Sequence, residues 1–240
     1  MNYNQQLSDL YRQHWSSLIW KAELLSRENK PANPLLLKIP DEKAYQDANI
    51  KVMFVGKETR GWEGELGSSS ISALQKSYCA FLTGHNKHKS SLFWKFIKLW
   101  TNRLEENYPN ASISLMWNNI FKIGRISEKG EPSTNTQNLN THYFNVFKKE
   151  LHILQPDIVI FFTGPQYDKA LQTYLPGLIL SPVQIANKKQ LAHCIHPLLP
   201  TTSFRTYHPQ YLNTLKPKKN TFHRDIPIDI ILKTWSKKHN

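Results

Sequence analysis

An acid, an amide and an imidazole each follow closely on an apolar run of this chain. Glu58 comes two residues after the glycine that ends IKVMFVG, Asn119 ends SISLMWNN, and His208 lies in RTYHPQYLN. A carboxylate can act as a general base or stabilise a developing cation, and a histidine can donate a hydrogen bond to an oxygen that becomes anionic. An amide carries a donor and an acceptor, so it can read the edge of a nucleobase.

Each of these residues also has an ordinary structural interpretation. Glu58 can be a solvated loop charge or a partner for Arg60, Asn119 can cap the chain near Phe121, and His208 can be a surface histidine in a turn. Taken singly, none of the three indicates a function. Their positions relative to one another in the fold decide between the two interpretations.

The elements that must position them alternate between strand and helix patterns. Three apolar runs predict strands (IKVMFVG, SISLMWNN and DIVIFFTG), and two or three further short strands are predicted within residues 178–207. Helical spacing of apolar residues predicts helices at residues 7–25, 92–104 and 144–154, and a last helix from about Pro227. RISEKGEPSTNTQNLN is predicted to be a long polar loop.

Alternation of this kind predicts an α/β fold. We expect a three-layer α/β/α sandwich around a mostly parallel sheet of four to five strands. The length favours a single domain over residues 1–240, with residues 1–45 as an N-terminal helical extension packed on it. Ligands of such sheets bind at the carboxyl ends of the strands, so Glu58, Asn119 and His208 are predicted to meet there.

The charge balance favours a polyanionic partner. The chain has 31 Lys and Arg against 18 Asp and Glu, a net charge of +13, which points first to nucleic acid and second to an acidic membrane surface. No apolar run predicts a membrane span and no secretory signal is recognised, so we expect a cytoplasmic monomer. The two cysteines, Cys79 and Cys194, fit a reducing compartment.

A basic run follows the histidine motif directly. KPKKNTFHR contains four cations that could hold phosphates, although a solvated basic face is the simpler interpretation: Lys216, Lys218, Lys219 and Arg224. Two clusters, HNKHK and HCIH, have residue types that bind metals, but a structural zinc site usually needs four well-spaced ligands. We therefore predict no metal and no cofactor.

Together these motifs resemble the uracil-DNA glycosylase superfamily over roughly residues 50–215. VMFVGKET is similar to the family's water-activating motif, WNNIFK to its pyrimidine-recognising motif, ILQPDIVIFFTG to its central strand, and TYHPQYL to the loop that carries the catalytic histidine and a side chain inserted into the DNA.

The resemblance implies a role for each matched position. Glu58 and His208 would be catalytic, and Asn119 would read the base. Leu212 would be the wedge that fills the space left by a flipped nucleotide, with Tyr211 as a second wedge residue. An aromatic ring would stack on the flipped base, with Phe81 or Trp62 as candidates and Tyr78 as a third.

Departures from the family pattern bear on the substrate. Thr59 stands where the family commonly has proline, and a longer insert follows, RGWEGELGSSSISALQKSY. We therefore expect a monofunctional glycosylase for a modified pyrimidine, such as the hydroxymethylated or glucosylated cytosine of phage DNA, in antiviral defence. The alternatives are a housekeeping uracil or mismatch glycosylase in DNA repair, a DNA-binding protein without catalysis, and, less favoured, a nucleotide-processing α/β enzyme.

Overall fold

A six-stranded sheet forms the centre of the protein. The computed structural model describes residues 2–25, 30–84, 91–126, 130–183, 188–212, 225 and 227–236. The strands are β1 (Ile50–Gly56), β2 (Ile113–Asn119), β3 (Ile158–Phe161), β4 (Ile179–Pro182), β5 (Leu191–Ile195) and β6 (Thr202–Thr206). They lie in the order β2-β1-β3-β6-β5-β4. The expected count of four to five strands was wrong, because all three short segments within residues 178–207 join the sheet.

Four of the strands run parallel. β1 pairs with β2 and β3, and β3 pairs with β6, all in parallel register. β5 is antiparallel to β6 and to β4, so the antiparallel part lies at one side of the sheet. The carboxyl ends of β2, β1, β3 and β6 are therefore neighbours along a single edge.

The middle strands are buried on both faces. Met53 and Val55 of β1 belong to one core cluster, whereas Val52 and Phe54 belong to the other. Side chains of a strand alternate between the two faces, so both faces of β1 must be covered by other elements. This explains why the strand has a continuous apolar run rather than an alternating pattern.

Helices cover the two faces. The helices are α1 (Tyr3–Glu23), α2 (Glu42–Asp47), α3 (Ile71–Thr83), α4 (Leu92–Asn107), α5 (Thr134–Asn138), α6 (Phe147–Leu154), α7 (Asp168–Tyr174), α8 (Pro209–Leu212) and α9 (227–236). Helices α1, α3, α6 and α7 contribute to the first core cluster, and α4 and α9 to the second. Within the described ranges, none of these helices combines the length and the apolar character that a bilayer span needs.

Two local features differ from the sequence expectation. The second half of the predicted polar loop is helical: α5 begins after Ser133, whose hydroxyl accepts a hydrogen bond from the Thr136 N–H, and a π-helical turn, Leu139–Tyr143, continues it. A Ser at this position caps the free N–H groups of a helix start. Helix α3 was not predicted, although Ser70 caps it in the same way.

Helix α1 shares the main core with the sheet. Leu7, Leu10, Tyr11 and Leu18 are buried in the same cluster as the side chains of β1 and β3. The Tyr11 hydroxyl donates a hydrogen bond of 2.7 Å to Glu150 Oε1 of α6, and accepts one of 2.9 Å from the Leu37 N–H.

Glu150 is the centre of a buried ionic network. The Lys122 ammonium lies 2.6 Å from Glu150 Oε2, and the two side chains are 1% and 0% exposed. Asn118 of β2 links the pair: its amide nitrogen donates to Glu150 Oε2 over 3.0 Å, and its oxygen accepts from Lys122. Charges removed from water in this way are tolerated only when each is paired and hydrogen-bonded.

Breaking this pair should be strongly destabilising. We expect Lys122→Met to lower the free energy of unfolding by about 3–5 kcal/mol, because Glu150 would remain buried without its counter-ion. Urea denaturation measures the change. The control is Lys43→Met, which removes an exposed ion pair with Asp47 and should leave the midpoint unchanged. Equal midpoints for the two variants would contradict the assignment.

Candidate active site

The three residues singled out from the sequence line one cavity. Glu58, Asn119 and His208 open onto a cavity of about 740 Å³, and Trp62 and Phe81 line it as well. Glu58 follows β1, Asn119 ends β2, and His208 follows β6, so the cavity lies at the carboxyl ends of the parallel strands. This is the usual position of a ligand site in an open parallel sheet.

Glu58 is partly buried and hydrogen-bonded. The Tyr167 hydroxyl donates to Glu58 Oε2 over 2.9 Å, and the Lys57 ammonium lies 4.8 Å from the centroid of the Tyr167 ring. Burial raises the pKa of Glu58 to about 7, although Tyr167 and Lys57 both act against the rise. A carboxyl group that is half-ionised near neutral pH is suited to accept a proton.

Asn119 is held in one orientation. Its side-chain oxygen accepts a hydrogen bond of 3.2 Å from the Trp117 indole N–H. Its side-chain nitrogen, in a residue only 1% exposed, has no partner among the described residues. Since a buried amide nitrogen is rarely left unpaired, this donor is available to a bound group in the cavity.

Gly56 makes room for this amide. A Cβ atom at position 56 would lie 2.5 Å from Asn119 Oδ1, which is closer than Cβ atoms approach other heavy atoms in proteins. The glycine that ends β1 is therefore required by the packing of the neighbouring strand end.

His208 is a neutral hydrogen-bond donor at neutral pH. Its ring lies against the Phe93 ring, with centroids 6.0 Å apart and 23° between the planes. His208 Nδ1 accepts from the Gln210 N–H over 3.2 Å, so the proton of the neutral ring is on Nε2. Burial, and to a lesser degree Lys57, lower the pKa of His208 to about 4.

An aromatic cluster forms the wall between these polar groups. The centroid of the Phe81 ring lies 5.3 Å from the ring centroids of both Trp94 and Trp117. The Trp62 ring meets the Phe81 ring edge-on, with 5.6 Å between centroids. Tyr78, the third stacking candidate, is not among the residues that line the cavity. It is fully buried, and its hydroxyl donates to the Trp117 carbonyl over 2.6 Å.

Several lining residues were not found from the sequence. These are Lys57, Phe93, Trp94, Trp117 and Tyr167. Two of them had a usable signal: Trp117 is two residues before Asn119 in the same strand, so it shares a face with it, and Tyr167 lies in TGPQYD, directly after β3. The positions of Lys57, Phe93 and Trp94 depend on how α4 and the loop after β1 pack against the edge of the sheet.

The segment around His208 connects a strand to a helix. β6 ends at Thr206 and α8 begins at Pro209. Tyr211 is 46% exposed, with its ring 4.7 Å from that of Tyr207. The other residues predicted to contact DNA lie outside the described part of the structure: the side chain of Leu212, Lys216, Lys218, Lys219 and Arg224.

The histidines of the HCIH motif make hydrogen bonds with the protein. His193 Nε2 donates to the Thr201 carbonyl over 2.7 Å, and His196 Nε2 donates to the Pro176 carbonyl over 3.2 Å. Over the residues that the structure describes, no group of three or more His, Cys, Asp or Glu side chains is arranged to hold a metal ion. His85 and His88 of the other motif lie outside those residues.

No family model matches the chain, and no curated protein matches it.

Replacing Gly56 should displace the amide of Asn119. We expect Gly56→Ala to break the hydrogen bond between Asn119 Oδ1 and the Trp117 indole, because the new methyl group would lie 2.5 Å from the oxygen and displace it. The indole N–H and side-chain amide resonances in a ¹H–¹⁵N spectrum report this directly. Unchanged resonances for both groups in a folded variant would contradict the packing described here.

Proposed function

We propose that this protein is a monofunctional DNA glycosylase related to the uracil-DNA glycosylase superfamily. It flips a non-canonical or modified pyrimidine out of DNA and hydrolyses its N-glycosidic bond. The observation that carries the proposal is that Glu58, Asn119 and His208, which are 150 residues apart from first to last, line a single cavity with aromatic walls. A flipped base needs this combination of a stacking surface and polar groups.

Glu58 would act on the sugar and the water. As the bond between the base and C1′ breaks, its electron pair leaves with the base and positive charge develops on the sugar. The Glu58 carboxylate stabilises that charge and takes a proton from the water whose oxygen bonds to C1′. Its pKa of about 7 leaves a large fraction of it charged at neutral pH while keeping it able to accept the proton.

His208 and Asn119 would act on the base. The departing pyrimidine carries negative charge on its oxygen, and the Nε2–H of a neutral His208 donates a hydrogen bond to it. The unpartnered amide nitrogen of Asn119 donates to an acceptor on the base edge. Phe81 and Trp62 line the cavity, and the ring of one of them would stack on the base.

The charge and the loop after β6 support DNA as the partner. A net charge of +13 attracts a polyanion. Tyr211 on α8 is exposed and lies three residues after His208, so it would enter a duplex while His208 contacts the base. Apolar side chains that enter the stack offset the loss of stacking when a nucleotide is flipped.

The size of the cavity favours a substituted pyrimidine over plain uracil. The cavity volume of about 740 Å³ is within the range of sites that bind drug-sized ligands. It is therefore larger than one pyrimidine ring needs. Arg60 and Glu63 line it in addition to Lys57 and Glu58, and such groups can bind the hydroxyls of a hydroxymethyl or glucosyl substituent. A role in defence against phages with modified cytosine follows from this substrate.

Defined DNA substrates test the proposal. Duplexes with unmodified cytosine, uracil, a G·T mismatch, hydroxymethylcytosine or glucosylated hydroxymethylcytosine are incubated with the protein, and abasic sites are then cleaved with alkali. We expect cleavage only at the substituted cytosines. Cleavage at uracil or at the mismatch alone would instead favour the repair enzyme.

Glu58→Gln separates catalysis from binding. We expect it to reduce abasic-site formation at least 100-fold, because an amide can neither accept the proton nor neutralise the sugar cation. Binding to the same DNA, measured by fluorescence anisotropy, should persist. Absence of abasic sites with wild-type protein on every duplex, together with unchanged binding by both proteins, would favour the non-catalytic alternative.

The rate should depend on pH through Glu58. Because the carboxylate is the active form and the pKa of Glu58 is raised to about 7, we expect single-turnover rates to rise through pH 7 and to level off above it. His208, with a pKa of about 4, is neutral over this range and adds no second step. A rate that is constant from pH 5 to 9 would show that Glu58 does not titrate in the reaction.

A further inference from the structure

Tyr167 contacts Glu58 from the side of β3. Its hydroxyl donates to Glu58 Oε2 over 2.9 Å, and within the described residues the other carboxylate oxygen, Oε1, receives no hydrogen bond. One oxygen of Glu58 is therefore occupied by the protein, and the other remains for a ligand in the cavity.

The Tyr167 ring is fixed on several sides. The Lys57 ammonium lies 4.8 Å from its centroid, and the buried Phe121 ring meets it edge-on at 6.0 Å. Its backbone lies in the 3₁₀ turn Pro165–Tyr167, which begins after Gly164 at a φ of +73°, a value that favours glycine. The hydroxyl therefore has little freedom to leave Glu58.

The next residue connects this turn to the strand that leads to His208. Asp168 accepts hydrogen bonds from Arg205 Nε over 2.8 Å and from Nη2 over 3.0 Å. Arg205 is fully buried in β6, and its guanidinium also donates to the carbonyls of Lys188 and Lys189. A bidentate pair of this kind fixes both distance and orientation between two elements.

We propose that Tyr167 is a positioning residue for Glu58, one that holds Oε2 so that Oε1 faces the sugar and the water and that favours the ionised carboxylate. The effect of this positioning on the reaction rests on the proposed function. The Asp168–Arg205 pair extends the same support to the strand before His208, so Glu58 and His208 are held relative to each other by β3 and β6.

A second tyrosine, Tyr174, shows that ring packing alone does not account for the hydrogen bond between Tyr167 and Glu58. Tyr174 of α7 is also buried and also contacts the Phe121 ring, at 5.9 Å, yet its hydroxyl has no partner in the described part of the chain. The ring of a tyrosine can thus pack here without a carboxylate. The bond from Tyr167 to Glu58 is a separate feature, and it can be removed without removing the ring.

Other charged groups also act on Glu58. Lys57 and Arg125 favour its ionised form, whereas Glu131 and burial favour the neutral form. These groups remain in a Tyr167→Phe variant, so a change in that variant reports the hydroxyl alone.

The test is Tyr167→Phe, followed by a ¹³C titration of the Glu58 carboxyl group. Loss of the donor should raise the pKa of Glu58 by about one unit, since a hydrogen bond to a charged group favours the charged form. The rate of abasic-site formation should then fall about fivefold at pH 7 and recover above pH 9, because the carboxylate forms at higher pH.

Tyr174→Phe is the matched control, and it should change neither the titration nor the pH profile. A uniform loss of rate at all pH values in Tyr167→Phe, with an unchanged Glu58 titration, would overturn the proposal. The titration does not depend on activity. If wild-type protein forms no abasic sites but the Glu58 pKa still shifts, the proposed function fails while the positioning of Glu58 by Tyr167 stands.

Discussion

The buried ion pair between Lys122 and Glu150 is the interaction on which the site depends. It joins α6 to the segment after β2, and through Tyr11 it also includes α1. Asn118 completes the network, and its side-chain oxygen accepts the Asn119 N–H over 2.7 Å. Buried charges are tolerated only when they are paired and hydrogen-bonded, so the pair constrains the relative positions of these elements. This network therefore fixes the end of β2, which carries Asn119.

Burial at the strand ends acts in opposite directions on the two titratable groups of the cavity. It raises the pKa of Glu58 and lowers that of His208, since it disfavours the charged form of each. Near neutral pH the acid is partly ionised and the imidazole is uncharged. The cavity therefore contains an acceptor for a proton and a neutral donor of a hydrogen bond, and Lys57 lies near both. That combination is the physical basis of the function proposed above.

Strong local patterns made much of the fold predictable. The run IKVMFVG corresponds to β1 in full, and the helix predicted at residues 92–104 is α4, which Ser91 caps. Residues placed by strand ends, such as Glu58 and His208, were predictable because parallel strands bring their ends together. Contacts between distant segments were not: the position of Tyr167 after β3 does not reveal its hydrogen bond to Glu58, 109 positions away. Lys122 was also missed, because lysine is almost never fully buried unless an acid from another element pairs with it.

The hydrogen bond from Trp117 to Asn119 has a consequence for selectivity. If the amide rotated by 180°, its nitrogen would face the indole N–H, and two donors would oppose each other. The side chain is therefore pre-organised, and it does not have to choose between its two orientations when a ligand arrives. A ligand group that accepts a hydrogen bond meets the Asn119 N–H donor already in place. A ligand group that can only donate meets another donor. The hydrogen bond from Trp117 therefore provides discrimination between the two kinds of ligand group.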